Sequence, residues 1–301
     1  MQGDFDMALQ QNITAIQYKK IDDFFINIKD KIYANIKGEA LSIQAYGKAG
    51  QRLSSDIDIL LPRTELYDFE KILKLNNFSS TLQSRTDKII MLSSSHQIAP
   101  WEKRIMPWGK IFIDLNFDIF WGEYTGKRID IDVFLSDTIE INIYGCKIKT
   151  LPPLKAMIQL ILHHYKDMNS IFLLATRKSI KYDMFKDLYY LLKNNLDEIT
   201  LDKLYAISSE YEIIPYVFYL LYYTGLLFKD EILDKYIATF KTSEGEALLN
   251  CYGLNESERR EWKCDFQTRL ECNNLYDLIK NDLTEKDLRK IEINKKVFLG
   301  E

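Results

Sequence analysis

The sequence predicts an α+β fold: an α+β half over residues 1–150 and a helical half over residues 151–301. Three observations predict it. Apolar spacing changes after Gly38 from a helical period to short runs and alternation. Alternation is strongest in Asp56–Leu61 and Ile111–Phe120. From Pro152-Pro153 onward nearly everything returns to a helical pattern. With 301 residues, 47% apolar and 28% charged, the chain can bury a substantial core, which excludes disordered and fibrous classes.

Taken in order, Leu9, Ile13, Ile16, Ile21, Phe24, Ile28, Ile32 and Ile36 recur every three to five positions, predicting an amphipathic helix that Gly38 stops. Leu41–Tyr46 reads as a short apolar strand, residues 47–50 as a glycine turn, and Asp56–Leu61 as a strand ended by Pro62. Glu65–Leu75 reads as helix. Lys88–Leu92 and Ile111–Phe120 read as strands, separated by a loop over Ser93–Lys110 that carries Trp101 and Trp108. Further strands are predicted at Ile129–Phe134 and Ile139–Lys149.

Several function classes fall away. The net charge is −4, from 40 basic and 44 acidic side chains, so no excess positive field exists to hold a nucleic-acid backbone, which argues against tight non-specific DNA or RNA binding and leaves room only for a local basic patch. Cys146, Cys251, Cys264 and Cys272 form no CxxC pair, which excludes a zinc ribbon or redox dithiol and predicts free thiols in a reducing cytoplasm. The first dozen residues carry two acids and no apolar run, unlike a signal peptide. The longest apolar stretches, such as Tyr216–Phe228, fall short of the roughly 20 residues that cross a bilayer, so a soluble, cytoplasmic protein without membrane association is expected. There is no GxxxxGK[ST] loop, which argues against a P-loop enzyme.

The carboxylates carry the chemistry. On a strand, residues i and i+2 share a face, so Asp56 and Asp58 project together while Ile57, Ile59 and Leu61 turn to the core. Two such carboxylates repel unless something compensates, and divalent cations with oxygen ligands do so. Asp130-Ile-Asp132 shows the same pattern and serves as an internal control; without a glycine turn at a suitable distance, it is expected to face water. In Ile111–Phe120, Ile113, Leu115, Phe117 and Ile119 form one face, and Asp114, Asn116 and Asp118 the other. If that strand lies beside Asp56–Leu61, three carboxylates meet in an arrangement suited to two-metal phosphoryl or nucleotidyl transfer. Gly47, lacking a side chain, would let a triphosphate approach backbone N–H groups.

The combination of Gly47, Arg52-Leu-Ser-Ser-Asp56-Ile-Asp58-Ile-Leu-Leu and Ile113-Asp114-Leu-Asn-Phe resembles the polymerase-β-like nucleotidyltransferase superfamily. More narrowly it resembles nucleotidyltransferase family 5, relatives of aminoglycoside and lincosamide nucleotidyltransferases. That pattern runs Lys-Gly, a loop, Arg-x-x-x-Asp-h-Asp, then h-Asp-Leu-His-Trp, and closes on a helix rich in Leu and His. Pro152-Pro153 and Leu160-Ile-Leu-His163-His164 are counterparts of the closing helix. The likeness covers roughly residues 40–195. Lys48 follows Gly47 here instead of preceding it, and Asn116 stands where the pattern has His.

The resemblance implies a short mixed β-sheet with flanking helices, and a helical domain that contributes to an acceptor cleft. It implies that Asp56, Asp58 and Asp114 hold Mg²⁺ (or Mn²⁺), with Asp114 also the base toward an attacking hydroxyl. Gly47, Lys48, Arg52 and Ser55 become the nucleotide contacts. The implied reaction moves NMP from an NTP to a hydroxyl of a small molecule and releases pyrophosphate. Its alternatives are a toxin-like enzyme acting on tRNA or a protein, with the acidic balance arguing against tRNA, and a degenerate protein that binds a nucleotide without chemistry. Outside this set, His163 and His164 are about 100° apart on a helix and are not expected to converge. Asp183 and Asp187 read as a solvated helix face, and the tryptophans as packing anchors or stacking surfaces.

Overall fold

The computed structural model describes residues 2–52, 54, 56–82, 84–176 and 179–299. The chain forms two compact units, Met1–Ile119 with Ile129–Ala156, and Phe120–Arg128 with Met157–Glu301.

The first unit is built on a seven-stranded mixed sheet. Its strands are β1 (Ala34–Ile36), β2 (Asp56–Leu60), β3 (Ser79–Ser80), β4 (Trp101–Arg104), β5 (Lys110–Asn116), β6 (Ile139–Ile143) and β7 (Cys146–Thr150), in the spatial order β3-β4-β5-β2-β1-β7-β6. The pairs β2–β5 and β1–β7 are parallel and the others antiparallel. The helices of this unit are α1 (Gln2–Lys20), α2 (Asp22–Ile28), α3 (Gly38–Tyr46), α4 (Leu66–Leu75), α5 (Arg85–Ser94) and α6 (Ile131–Phe134). Ile57, Ile59, Ile113 and Leu115 from the two central strands join Tyr18, Phe24, Phe25 and Ile28 of α1 and α2, and Phe69 and Leu73 of α4, in one buried core. Alternation along β2 and β5 therefore commits one face to this core and leaves Asp56, Asp58, Asp114 and Asn116 on the other.

Several segments differ from the sequence expectation. The predicted helix over Leu9–Ile36 ends at Ile28, and Ala34–Ile36 pairs as β1. Gly38 begins a helix instead of stopping one, so Leu41–Tyr46 is helical; Ala40, Leu41 and Ala45 bury one helical face, which six residues alternating as Leu-Ser-Ile-Gln-Ala-Tyr cannot distinguish from a strand. Lys88–Leu92 lies inside α5, whose N-terminus Ser84 caps by accepting the Asp87 N–H. Ile129–Phe134 contains α6, capped by Asp130, so the control pair is not on a strand at all; both aspartates are exposed. The expected loop over residues 93–110 contains β4, which seats Trp101 in the core.

The second unit comprises most of α7 (Pro153–Asn169), then α8 (Ile171–Thr176), α9 (Tyr182–Lys193), α10 (Leu201–Glu210), α11 (Ile214–Leu227), α12 (Glu231–Phe240) and α13 (Ser243–Leu249), with shorter helical turns to Leu299 and a two-stranded ribbon pairing Cys251–Tyr252 with Arg260–Glu261. Trp121 packs against Tyr124, Tyr165 and Tyr216 inside it. All four cysteines are free thiols. Among the described residues no helix is long and apolar enough to cross a membrane.

Candidate active site

Register brings the acids together. Strands β2 and β5 run parallel with Asp58 as the Cα partner of Asp114 and Asp56 as that of Phe112. Paired strands lie about 4.8 Å apart, so Asp58 and Asp114 stand side by side, with Asp56 two residues along on the same face. Asn116 completes the row and donates its Nδ2–H to Asp58 Oδ1 at 3.3 Å. Asp58 is 5% exposed, and Asp114 Oδ1 is sealed from solvent. Asp118 lies beyond the end of β5.

The electrostatics of this row are those of crowded carboxylates. Burial raises the pKa of Asp56 above the ordinary carboxylate range, and the charge of Asp58 raises it further; Lys37, the Ser54 hydroxyl and Arg52 pull it back down. Ser54 donates to the Asp56 carbonyl at 2.8 Å and to its Oδ1 at 3.3 Å. The donor set is all oxygen, acidic and half to fully buried, which suits a hard divalent cation such as Mg²⁺ or Mn²⁺ and not a thiophilic metal.

The nucleotide contacts predicted from sequence divide. Arg52 lies within electrostatic reach of Asp56, and its backbone N–H donates to Ser42 Oγ at 3.2 Å. Ser55 lies outside the described residues. Gly47 is the left-handed C-cap of α3 (φ 79°), and its N–H is committed to the Ile43 carbonyl. From the first turn of α3 this cap is about 13 Å away, at a rise of 1.5 Å per residue. Lys48 is exposed. The glycine that abuts the carboxylate strand is Gly38, not Gly47: a Cβ there would stand 3.2 Å from Ser54 Oγ and 3.6 Å from the Asp56 carbonyl.

Beside Gly38 is the residue that sequence reasoning missed. Lys37 Nζ lies 2.7 Å from Asp58 Oδ1, with side-chain exposures of 12% and 6%. Its backbone sits at φ 58°, ψ −148°, a region nearly reserved for glycine that costs other residues about 1–3 kcal/mol and concentrates at functional sites. The signal was present: Lys37-Gly38 is a Lys-Gly pair in the order the resemblance calls for, upstream of Arg52 and Asp56.

In the second unit, ligand atoms of His163, His164 and Asp167 lie within 4.8 Å of one another, so these adjacent histidines do converge. His163 Nε2 is 3.3 Å from Asp167 Oδ2, and the Lys166 ammonium, 3.6 Å from Asp167 Oδ1, already supplies a cation there. Asp187 is 2% exposed, so it is a buried acid and not part of a solvated face; Asp183 is exposed as expected.

No functionally curated protein matches this chain. A solved structure, an antigenic nucleotidyltransferase-like protein from Paracoccidioides brasiliensis, is similar at 17% identity, covering 68% of this chain and 92% of that one with a TM-score of 0.30. Residues 6–229 match the family described as uncharacterised nucleotidyltransferase. This span contains every acid of the β2–β5 row together with Lys37 and Gly38, and over this majority of its length the chain belongs to that nucleotidyltransferase family.

Proposed function

We propose that the first unit transfers a nucleoside monophosphate from an NTP to a hydroxyl of a small-molecule acceptor and releases pyrophosphate. The observation that carries this reading is the β2–β5 register, which aligns Asp58 with Asp114 and leaves Asp56 on the same face. Asp56, Asp58 and Asp114 are the residues that would hold Mg²⁺ or Mn²⁺. When bound, such ions supply charge neutralisation at the α-phosphate and the pyrophosphate leaving group. Asp114 takes the proton of the acceptor hydroxyl as its oxygen forms a bond to the α-phosphorus. The bond from that phosphorus to the bridging oxygen breaks, and the electron pair leaves with pyrophosphate. Lys37 and Arg52 offer charge to the phosphates, and the first turn of α3 offers backbone N–H groups. The balance of 40 basic against 44 acidic residues favours a small acceptor over tRNA.

The test is pyrophosphate release from each NTP with Mg²⁺ or Mn²⁺ against a panel of hydroxyl acceptors that includes tRNA. Asp58→Asn and Asp114→Asn are expected to lower turnover at least a hundredfold with any productive acceptor. Turnover that survives both changes would sink the assignment. NTP binding without pyrophosphate release on any acceptor would mark a nucleotide-binding protein that does no chemistry.

A further inference from the structure

Lys37 reaches Asp58 by neither strand nor helix periodicity. It follows Ile36, whose Cα is paired with that of Asp58 across the antiparallel β1–β2 ladder, and it precedes Gly38, the first residue of α3. Between these two elements the backbone takes a conformation that side-chain-bearing residues avoid. A glycine would fit there without strain, yet the residue is a lysine, and its ammonium rests on Asp58 Oδ1. Asn116 contacts the same oxygen. An oxygen of the proposed metal site is thus already held by a cation on a flexible four-carbon stem.

We propose that the Lys37 ammonium is a placeholder: it neutralises Asp58 while the site holds no divalent ion, and it moves to the phosphates of the NTP when a divalent ion takes that oxygen. This rests on the reading of the β2–β5 acids as a metal site. An ammonium and a divalent cation both seek the same lone pair, and their mutual repulsion over a few ångströms at a half-buried site is enough to weaken metal binding about tenfold or more. A triphosphate removes that opposition, since a lysine ammonium binds phosphate as a point charge and need travel only the length of its side chain. Metal and nucleotide then load together, each raising the affinity of the other, as linkage requires. The strained backbone has a use in this scheme, because it keeps the ammonium within reach of both partners.

The experiment titrates the full chain with Mn²⁺ alone and reads the electron paramagnetic resonance signal of free Mn²⁺, so no turnover is involved. Wild type is compared with Lys37→Met and Lys37→Gly; the glycine variant relaxes the backbone and keeps the test alive should the methionine variant fail to fold. Both are expected to bind Mn²⁺ about tenfold more tightly than wild type, a gain that adding Asp58→Asn removes. With Mn²⁺ saturating, a non-hydrolysable NTP analogue is expected to bind the same variants at least tenfold more weakly than wild type. If the variants bind Mn²⁺ no more tightly than wild type, while Asp58→Asn still abolishes binding, Lys37 is an anchor and the placeholder role is wrong, although the metal site stands. If no form binds Mn²⁺, or binding persists through Asp58→Asn and Asp114→Asn together, the placeholder and the metal-dependent reading both fall.

Discussion

A single backbone angle separates Lys37 from its neighbours in energetic terms. At φ 58°, ψ −148° a Cβ is unfavourable, so Lys37→Gly is expected to be more stable than Lys37→Ala by about 1–2 kcal/mol. Ordinary helix-end and strand-end substitutions follow the opposite order or show little difference, and neither variant retains the ion pair, so the difference isolates the strain. Urea denaturation of the two variants side by side measures it; equal stabilities would mean that the backbone relaxes once the lysine is gone. A second residue in the same neighbourhood carries a pH signature. Glu39 is 3% exposed and accepts the Gly50 N–H at 2.6 Å. Burial lifts its pKa, while the Gly50 N–H, the Tyr144 phenol and Arg52 oppose the rise without cancelling it. An unfolded glutamate titrates near 4.3. Between that value and the raised folded one, the folded state still holds the proton that the unfolded state has lost, so stability falls as pH rises through this window. Glu39→Gln has no such proton, and its stability relative to wild type is expected to increase with pH across the window and then level off. Denaturation midpoints from pH 4 to pH 8 check this; a relative stability that falls with pH would show that Glu39 is held ionised instead.

At the scale of elements, helix α3 decides which glycine matters. Gly38 opens the helix at φ 46° against Ser54 and Asp56, and Gly47 closes it at φ 79° with open space around its Cα. Alanine at either position carries the left-handed penalty of about 1–2 kcal/mol, so both variants should lose comparable stability. Only Gly38→Ala also pushes on the carboxylate strand, and only it is expected to lower pyrophosphate release. Equal losses of turnover from both variants would return Gly47 to the site. This pair also shows where the sequence was legible. Asp56, Asp58 and Asp114 could be read because alternation on a half-buried strand assigns a face without knowledge of partners, and their strands carry strong apolar faces. Lys37 could not be read that way, because its contact depends on a strained turn and on pairing across β1 and β2 that only the folded chain supplies. The segments over residues 41–46 and 88–92 read as strands because five or six residues are too few to fix a period: Leu41, Ile43 and Ala45 alternate with Ser42 and Gln44, and residues 89–92 are four apolar residues in a row. The caps that settle the matter are a serine at position 84 in one case and a lysine in an unusual conformation in the other.

For the whole molecule, the division into two units places every acid proposed to bind metal in the first and leaves the second with a core of its own. In the second unit Phe185 is fully buried, meeting Phe266 edge-on at 5.4 Å, and Phe266 stacks on Tyr223 at 4.3 Å. Truncating such an aromatic removes its buried area and leaves a cavity, at a cost of about 3–5 kcal/mol. Phe185→Ala is therefore expected to lower the denaturation midpoint substantially. Mn²⁺ binding should nevertheless survive under conditions where the first unit remains folded, because the acids proposed as its ligands lie on β2 and β5. A chelator makes the complementary measurement: EDTA should abolish pyrophosphate release in wild type, and added Mn²⁺ should restore it, without changing secondary structure by circular dichroism, since the core under the sheet is built from apolar side chains. If Phe185→Ala abolishes Mn²⁺ binding while the far-ultraviolet spectrum is unchanged, a ligand must come from the helical unit. The cluster of His163, His164 and Asp167 would then be the place to look, with His163→Gln and Asp167→Asn as the deciding substitutions.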